Sequence, residues 1–134
     1  MKKYKHVIWD WNGTILDDVD LCVRIINRLK AARGQAPITA ERYRGVFRFP
    51  VEEYYKDVGF DFSRETFREV GREWMDGYEK EKYTCALRAG VKEALERVSS
   101  SGAGQSVLSA YSQDFLTEAV GHYGLAGYFT RLRG

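Results

Sequence analysis

The sequence has 134 residues, of which 44% are hydrophobic and 30% charged, and its formal net charge is only +2. This balance is typical of one globular domain and excludes a disordered chain, while the small charge argues against a nucleic-acid partner. The cysteines Cys22 and Cys85 are far apart and have no neighbour at metal-ligand spacing, which argues against a disulfide framework and a zinc site.

The predicted elements begin with a short buried strand over residues 5–10, a β-branched and aromatic run that ends at the turn signal Asn12-Gly13. Because Asp10 interrupts the apolar run, we expect neither a signal peptide nor a membrane span, and we predict a cytoplasmic protein. Asp18 is the predicted cap of a helix over residues 19–33.

Further helices follow in the middle of the chain. We predict a short helix over residues 39–46, and a third helix that has Pro50 at its first position and stops at Gly59. Ser63 is the predicted cap of a long helix that reaches Tyr83.

The C-terminal part of the sequence alternates between helices and strands. A helix over residues 89–99 precedes a strand over residues 106–110, and Ser112 caps a helix that extends to Tyr123. Residues 128–132 resemble the start of a third strand. This order predicts an α/β fold with a parallel sheet, into which a helix-rich block is inserted after the first strand.

Polar residues follow the first two predicted strands, at the edge where open α/β sheets bind ligands. Asp10 offers a carboxylate, Gly13 a sharp turn and Thr14 a hydroxyl, while Ser109 and the Ala110 amide follow the second strand. A carboxylate that faces a hydroxyl and amides suits phosphoryl transfer. The same residues also fit an ordinary turn that caps the next helix.

Two segments carry a resemblance to a known family. The segment from Val7 to Asp18, V-I-W-D-W-N-G-T-I-L-D-D, and the segment Val107-Leu108-Ser109-Ala110 resemble the first and second motifs of the haloacid dehalogenase superfamily. The pattern is similar to that of phosphoglycolate-phosphatase-like hydrolases. It implies a Rossmann-like parallel-sheet core formed by residues 1–16 and 86–134, and a helical cap formed by residues 17–85.

The resemblance also implies a reaction and its residues. Asp10 matches the nucleophile that forms an aspartyl-phosphate, and Asp10 with the main-chain carbonyl of Asn12 would bind Mg²⁺. Thr14 matches a residue that steadies the loop, and Ser109 and Ala110 match the phosphate-binding donors. The implied substrate is a small phosphorylated metabolite, hydrolysed as a phosphate monoester.

The sequence departs from this family in two respects. Asn12 stands where phosphatases of the family usually carry an acid–base aspartate, and an amide cannot transfer that proton. No lysine follows Ala110, and the only later acids are Asp114 and Glu118, so the family's later motifs are missing. We therefore expect the chain as given to be inactive by itself. The alternatives are a catalytically weak phosphate-binding or regulatory protein, and a helical interaction module.

The predicted cap offers one further candidate site residue and a set of aromatic side chains. Arg48 is the arginine that we select to meet an anionic substrate, and a solvated surface arginine is the alternative. Residues 17–85 hold 11 of the 19 aromatic residues of the chain. We interpret these residues as a helical core rather than as the lining of a substrate pocket.

The predicted sheet has an uncovered edge. The family places the first strand in the middle of its sheet, so its other side would be open and apolar here, which natural sheets rarely allow. We therefore expect the sequence to be a truncated or partly recorded version of a protein of about 200 residues. Self-association or a partner chain would be another way to cover the edge.

Overall fold

The structure is a computed structural model that describes residues 4–134. It divides the chain into two compact units, one formed by Asp18–Cys85 and the other by the residues up to Asp17 together with Ala86–Gly134. We call them the inserted unit and the sheet unit. No helix within the described residues is long and apolar enough to cross a membrane.

Strands and helices follow one another in the predicted order. The strands are β1 His6–Trp9, β2 Gly104–Leu108 and β3 Arg131–Arg133, and the α-helices are α1 Val19–Ala32, α2 Ala40–Val46, α3 Val51–Asp57, α4 Phe67–Glu81, α5 Val91–Ser100 and α6 Gln113–His122. The predicted α/β fold with a parallel sheet is confirmed.

In the sheet unit, β2 pairs in parallel with β1 on one side and with β3 on the other. The register aligns Trp9 with Val107 and Val107 with Leu132. Both connections step across the sheet in the same direction. Because such crossovers are right-handed, α5 and α6 lie on the same face of the sheet.

Two strand boundaries differ from the predicted ones, and Gln105 makes hydrogen bonds at both of them. Strand β2 begins at Gly104 rather than at residue 106, since Gln105 points inward and donates its amide to the carbonyl of Leu95 and to Ser99. The main-chain carbonyl of Gln105 accepts hydrogen bonds from the backbone and hydroxyl of Thr130. Strand β3 therefore starts at Arg131, after a 3₁₀ turn over Ala126–Tyr128.

The inserted unit has its own core, which confirms that most of its aromatic residues are packed inside. The core residues are buried and come from α1, α3, the residues after α3, and α4. They are Ile26, Leu29, Tyr54, Tyr55, Val58, Phe60 and Val70. Phe47 and Phe49 remain exposed. Their rings contact each other edge-on at 5.6 Å.

Several helix caps in the inserted unit differ from prediction. Helix α4 begins after Thr66, not Ser63, because Thr66 and Glu69 form a reciprocal capping box. Pro50 lies just before α3 rather than inside it. Asp18 occupies the position before α1, but its buried carboxylate accepts a 2.6 Å hydrogen bond from Tyr78 instead of capping the helix.

Ion pairs connect the helices of the inserted unit. Arg33 donates to Glu65 at 2.5 and 2.6 Å, to Glu73 at 3.1 Å and to the carbonyl of Leu29. The hydrogen bonds from Arg33 lower the pKa of Glu65. The guanidinium of Arg33 thereby joins the end of α1 to α4 and to the residues just before it.

The charged run over residues 79–82, for which the sequence alone predicts an exposed face or a hinge, is partly buried. Lys82 is buried and donates to Glu79 at 2.6 Å, while Glu81 accepts from Arg24 and Arg28 of α1. The expectation of an exposed face is wrong for Lys82, whereas Lys80 is exposed. The ion pairs of Glu81 with Arg24 and Arg28 join the end of α4 to α1.

We predict that Arg33→Gln lowers the free energy of unfolding by about 1–2 kcal/mol at pH 7, because several charge-assisted hydrogen bonds are lost and they are partly solvent-screened. Since Arg33 depresses the pKa of Glu65, its contribution is complete above the ordinary glutamate pKa and disappears as pH falls through the lowered value. Urea unfolding of both proteins between pH 7 and pH 3 measures this.

Arg68→Gln is the matched control, because Arg68 is an exposed arginine of α4 that makes no ion pair within residues 4–134. A difference between wild type and Arg33→Gln that stays constant down to pH 3 would contradict the assigned role of Glu65.

Candidate functional site

The parallel register brings two polar strand ends together in the sheet unit. Asp10 follows β1 and Ser109 follows β2, and the last residue of β1, Trp9, pairs with Val107. The sheet therefore places both residues at the same carboxyl edge, although 99 positions separate them in sequence. This edge is where an open α/β sheet binds ligands.

A compact turn follows Asp10. The main-chain carbonyl of Trp11 accepts hydrogen bonds from the amides of Thr14, Ile15 and Leu16, at 3.2, 3.0 and 3.0 Å. Gly13 has a φ of 73°, in the left-handed region that favours glycine. The turn thus needs the glycine that the sequence analysis selected as its pivot.

Trp11 holds this turn through its buried side chain, a role that was not predicted from the sequence. Its side chain is fully buried, and its ring packs against Tyr123 at a centroid distance of 6.1 Å. The indole Nε1 is buried and has no hydrogen-bond partner within the described residues. The sequence did offer a signal for this role, because Trp11 stands between the polar residues Asp10 and Asn12. A large aromatic side chain at the end of a strand is usually buried in the core.

The hydroxyl of Thr14 donates to Oδ2 of Asp10 at 3.0 Å. Asp10 itself is exposed, so its second carboxylate oxygen remains accessible to a ligand at the edge of the sheet. The threonine therefore fixes the rotation of the carboxylate without covering it.

Ser109 and Asn12 approach each other across the sheet edge. The Ser109 hydroxyl donates to Oδ1 of Asn12 at 3.5 Å and accepts from the backbone amide of Tyr111 at 3.1 Å. Ala110 follows and is exposed. The structure thus gathers Asp10, Asn12, Thr14, Ser109 and Ala110 in one region of the sheet unit.

Arg48 belongs to the inserted unit and is engaged there. Its guanidinium forms ion pairs with Asp57 at 2.9 Å and with Glu53 at 4.0 Å, and its side chain is more than half exposed. Its predicted role in substrate binding stays a prediction.

Arg88 contacts the turn and was also missed. Its Nη2 donates to the carbonyl of Gly13 at 2.9 Å and lies 3.4 Å from a carboxylate oxygen of Asp17. The Gly13 carbonyl belongs to the peptide bond that continues into Thr14, so Arg88 holds the peptide next to the hydroxyl that orients Asp10. No sequence motif marks this residue, because its partner is a main-chain atom.

Residues 15–17 and 86–88 form a short antiparallel ribbon at the place where the chain leaves and re-enters the sheet unit. The amide of Asp17 donates to the carbonyl of Ala86, and the amide of Arg88 donates to that of Ile15, both at 2.9 Å. Leu16 and Leu87 face each other between them. This ribbon therefore joins the turn after Asp10 to the segment at which the chain returns to the sheet unit.

The oxygen donors of this region are few but of the right type for a hard cation. Asp10 offers a carboxylate and Asn12 a main-chain carbonyl, and Mg²⁺ is commonly held by one or two carboxylates together with substrate phosphate and water. Within residues 4–134 there is no cluster of three or more histidine, cysteine or acidic side chains that could hold a metal. The donors fit Mg²⁺ bound together with a ligand, and they do not fit a closed structural metal site.

Residues 7–133 match the family model described as haloacid dehalogenase-like hydrolase. A comparison with curated protein sequences gave no match.

Solved structures share the fold at low sequence identity. A phosphoglycolate phosphatase predicted for Haemophilus somnus 129pt is 16% identical, with a TM-score of 0.78 over 100% of this chain and 64% of its own. A haloacid dehalogenase-like hydrolase from Streptococcus pneumoniae is also 16% identical, with a TM-score of 0.80 over 98% and 61%. Protein tyrosine kinase A of Mycobacterium tuberculosis is 17% identical, with a TM-score of 0.84 over 100% and 61%. The chain thus spans less than two thirds of these relatives.

We predict that Arg88→Met speeds hydrogen exchange at the amides of Thr14, Ile15 and Leu16 by up to about tenfold, since one net hydrogen bond to the turn is lost. Native-state exchange followed by NMR measures this. Arg97→Met is the matched control, an exposed arginine of α5 that makes no ion pair in the described part of the chain. Equal exchange rates in wild type and Arg88→Met would show that Arg88 does not order the turn.

Proposed function

This chain belongs to the haloacid dehalogenase-like hydrolase family, and from that premise we propose that it hydrolyses a small phosphate monoester through an aspartyl-phosphate on Asp10. The observation that carries the proposal is the oriented carboxylate at the sheet edge, held by Thr14 and placed beside the Asn12–Ser109 pair. The substrate class and the reaction of the whole protein are proposals, because the chain spans about 60% of its structural relatives.

The proposed first step forms a bond between a carboxylate oxygen of Asp10 and phosphorus while the ester P–O bond breaks. The alcohol leaves as an alkoxide and takes its proton from solvent water, since Asn12 cannot supply one. Thr14 donates to Oδ2, which leaves Oδ1 for the attack and holds it in one orientation. Water then attacks phosphorus and loses a proton to solvent, the bond between Asp10 and phosphorus breaks, and inorganic phosphate is released. The carboxylate is regenerated in this second step.

Ser109 is the proposed phosphate ligand at the second strand. Its contact with Asn12 is long, at 3.5 Å, so the hydroxyl can turn toward a phosphate oxygen at small cost. The amide of Ala110 is the second proposed donor to the phosphate. These neutral donors would stabilise charge that develops on the phosphoryl group.

Mg²⁺ is the proposed cofactor, held by the carboxylate of Asp10 and the main-chain carbonyl of Asn12, and when bound it would neutralise phosphate charge. A cytoplasmic location completes the proposal. It is supported by Cys22, a buried thiol outside any disulfide.

A catalytically weak phosphate-binding or regulatory protein is the second candidate function. Asn12 favours it, because the amide side chain can neither protonate the leaving oxygen nor take a proton from the attacking water. The fold also does not decide between the two, since one structure that shares it carries the name of a kinase. Under this candidate, Asp10 would bind phosphate analogues or become phosphorylated without appreciable turnover.

We predict that Mg²⁺ and fluoroberyllate, which mimics a phosphorylated aspartate, form a complex with the wild-type chain and not with Asp10→Ala. The reason is that the carboxylate of Asp10 supplies the bond to beryllium. Fluorine NMR and a thermal shift record the complex. Asp114→Ala, which removes an exposed acid of α6, is the control that should bind as wild type does. Binding by Asp10→Ala would overturn the assignment of the nucleophile.

We predict that, in the complete protein with the family's later lysine and acidic residues, Asn12→Asp raises Mg²⁺-dependent hydrolysis of p-nitrophenyl phosphate by about 10²–10⁴-fold over wild type, because it restores a general acid–base group. The fluoroberyllate complex should form equally well in both proteins. Measurable turnover by wild type favours the hydrolase, and binding without turnover in wild type favours the second candidate. No gain in Asn12→Asp would show that position 12 does not limit the reaction.

A further inference from the structure

Asn12 and Gly13 form the one asparagine–glycine pair of the sequence, and both are half-buried in the turn after β1. In such a pair the backbone nitrogen of the glycine can approach the side-chain amide carbon of the asparagine, because glycine has no Cβ that would obstruct it. The turn also keeps this peptide outside a helix or a strand ladder. The pair is therefore where an asparagine of this chain is most open to attack by its own backbone.

The hydroxyl of Ser109 lies at the oxygen of the Asn12 side-chain amide. It donates to Oδ1 at 3.5 Å, and its own oxygen accepts from the amide of Tyr111 at 3.1 Å. A donor in this place stabilises the negative charge that develops on Oδ1 when a nucleophile attacks Cγ. Bonds of this kind are often long before the reaction and shorten as charge develops. Ser109 thus activates Cγ of Asn12.

The attacking group, the amide nitrogen of Gly13, also has a favourable neighbour. Nη2 of Arg88 lies 2.9 Å from the main-chain carbonyl oxygen of Gly13. A positive charge this close favours the deprotonated, negatively charged state of a neighbouring group, and the nitrogen must lose its proton before it attacks. The two reacting groups are therefore both assisted by side chains of the sheet unit.

The other asparagine of the sequence, Asn27, has the opposite surroundings. It lies inside α1, where the amide of the next residue, Arg28, is held in the helical hydrogen-bond pattern. Its side chain donates to the carbonyl of Ile38 at 2.9 Å and accepts from the amide of Ile38 at 2.8 Å. Asn27 is consequently an internal control for the reactivity of Asn12.

We propose that Asn12 is a site of spontaneous deamidation, which converts it into an aspartate. The nitrogen of Gly13 loses its proton to water and bonds to Cγ of Asn12, while the bond from Cγ to Nδ2 breaks and ammonia leaves with a proton from water. Water then adds to Cγ of the resulting cyclic imide, and the bond from Cγ to the Gly13 nitrogen breaks as that nitrogen regains a proton. The net change consumes one water and releases one ammonia.

The position of Ser109 also selects the product. Water can add to either carbonyl of the imide, and addition to the main-chain carbonyl would give isoaspartate instead of aspartate. Ser109 donates to the oxygen on Cγ, so it activates the carbonyl that gives aspartate. The carboxylate formed at position 12 supplies the acid–base group that the proposed hydrolysis lacks. This consequence rests on the proposed function, whereas the deamidation does not.

The first test follows the modification by mass spectrometry and needs no activity. The wild-type chain is incubated at neutral pH and digested at intervals, and a synthetic peptide of residues 7–18 is the unfolded reference. Asn12 should convert about fivefold faster in the folded chain than in the peptide, which corresponds to one ordinary hydrogen bond, while Asn27 stays unchanged. Chromatography against standard peptides should show a larger share of aspartate from the folded chain.

Variants test the assigned contacts. Ser109→Ala should reduce the conversion rate to that of the peptide. Ser106→Ala is the matched control, because this serine of the same strand contacts His6 instead, and it should convert as wild type does. Asn12→Gln should not convert at an appreciable rate, since its longer side chain would have to close a larger ring. Thermal unfolding of each variant shows that it is folded.

The second test links the modification to the reaction in the complete protein. Mg²⁺-dependent hydrolysis of p-nitrophenyl phosphate should rise in proportion to the aspartate content of aged wild type and stay constant in Asn12→Gln. Conversion that is no faster in the folded chain than in the peptide, or that Ser109→Ala does not slow, would overturn the proposal. So would conversion without a rise in hydrolysis when Asn12→Asp itself is active, since the product would then be isoaspartate. Conversion to aspartate with no activity in Asn12→Asp would support the deamidation and contradict the proposed hydrolysis.

Discussion

The parallel pairing of β1 with β2 is the constraint on which the rest of the sheet unit depends. The pairing joins His6–Trp9 to Gly104–Val107, so a single backbone ladder brings the two halves of the candidate site to one edge. Each half is unremarkable alone, since one is a turn after a strand and the other a serine after a strand. A shift of one residue in the register of β1 would move Trp9 to the opposite face of the sheet and expose that part of the core.

Side chains that are not themselves ligands hold this site in shape. The buried ring of Trp11 fixes the start of the turn, and its carbonyl gathers three successive amides. Arg88 donates to the carbonyl of Gly13 in the same turn. The carboxylate of Asp10 is consequently oriented by a network that ends in the hydrophobic core, which is the arrangement that precise positioning of a reacting group requires.

The sequence was sufficient for the α/β order and for the residues at the strand ends, because those depend on local patterns of alternation and turn chemistry. It was insufficient where the deciding partner is distant. Ser63 and Thr66 are both good caps, and only the reciprocal contact with Glu69 selects Thr66. The start of β2 was not predictable because a polar glutamine stands there. Gln105 can be buried only because Leu95 and Ser99 accept hydrogen bonds from its amide. The contact of Arg88 could not be predicted from the sequence, because its partner is a main-chain carbonyl that every residue carries.

The antiparallel ribbon between residues 15–17 and 86–88 has a consequence for the evolution and engineering of this molecule. Because the amide of Asp17 is bonded to the carbonyl of Ala86, the two ends of the long excursion from Asp18 to Cys85 are held as close as neighbours in a hairpin. Closing a chain loop costs only about 0.6 kcal/mol more for each doubling of its length. The excursion can therefore be exchanged for a shorter or longer segment, down to a tight turn, with little effect on the sheet that it interrupts. The ribbon is therefore a suitable place at which to replace the inserted unit by another segment.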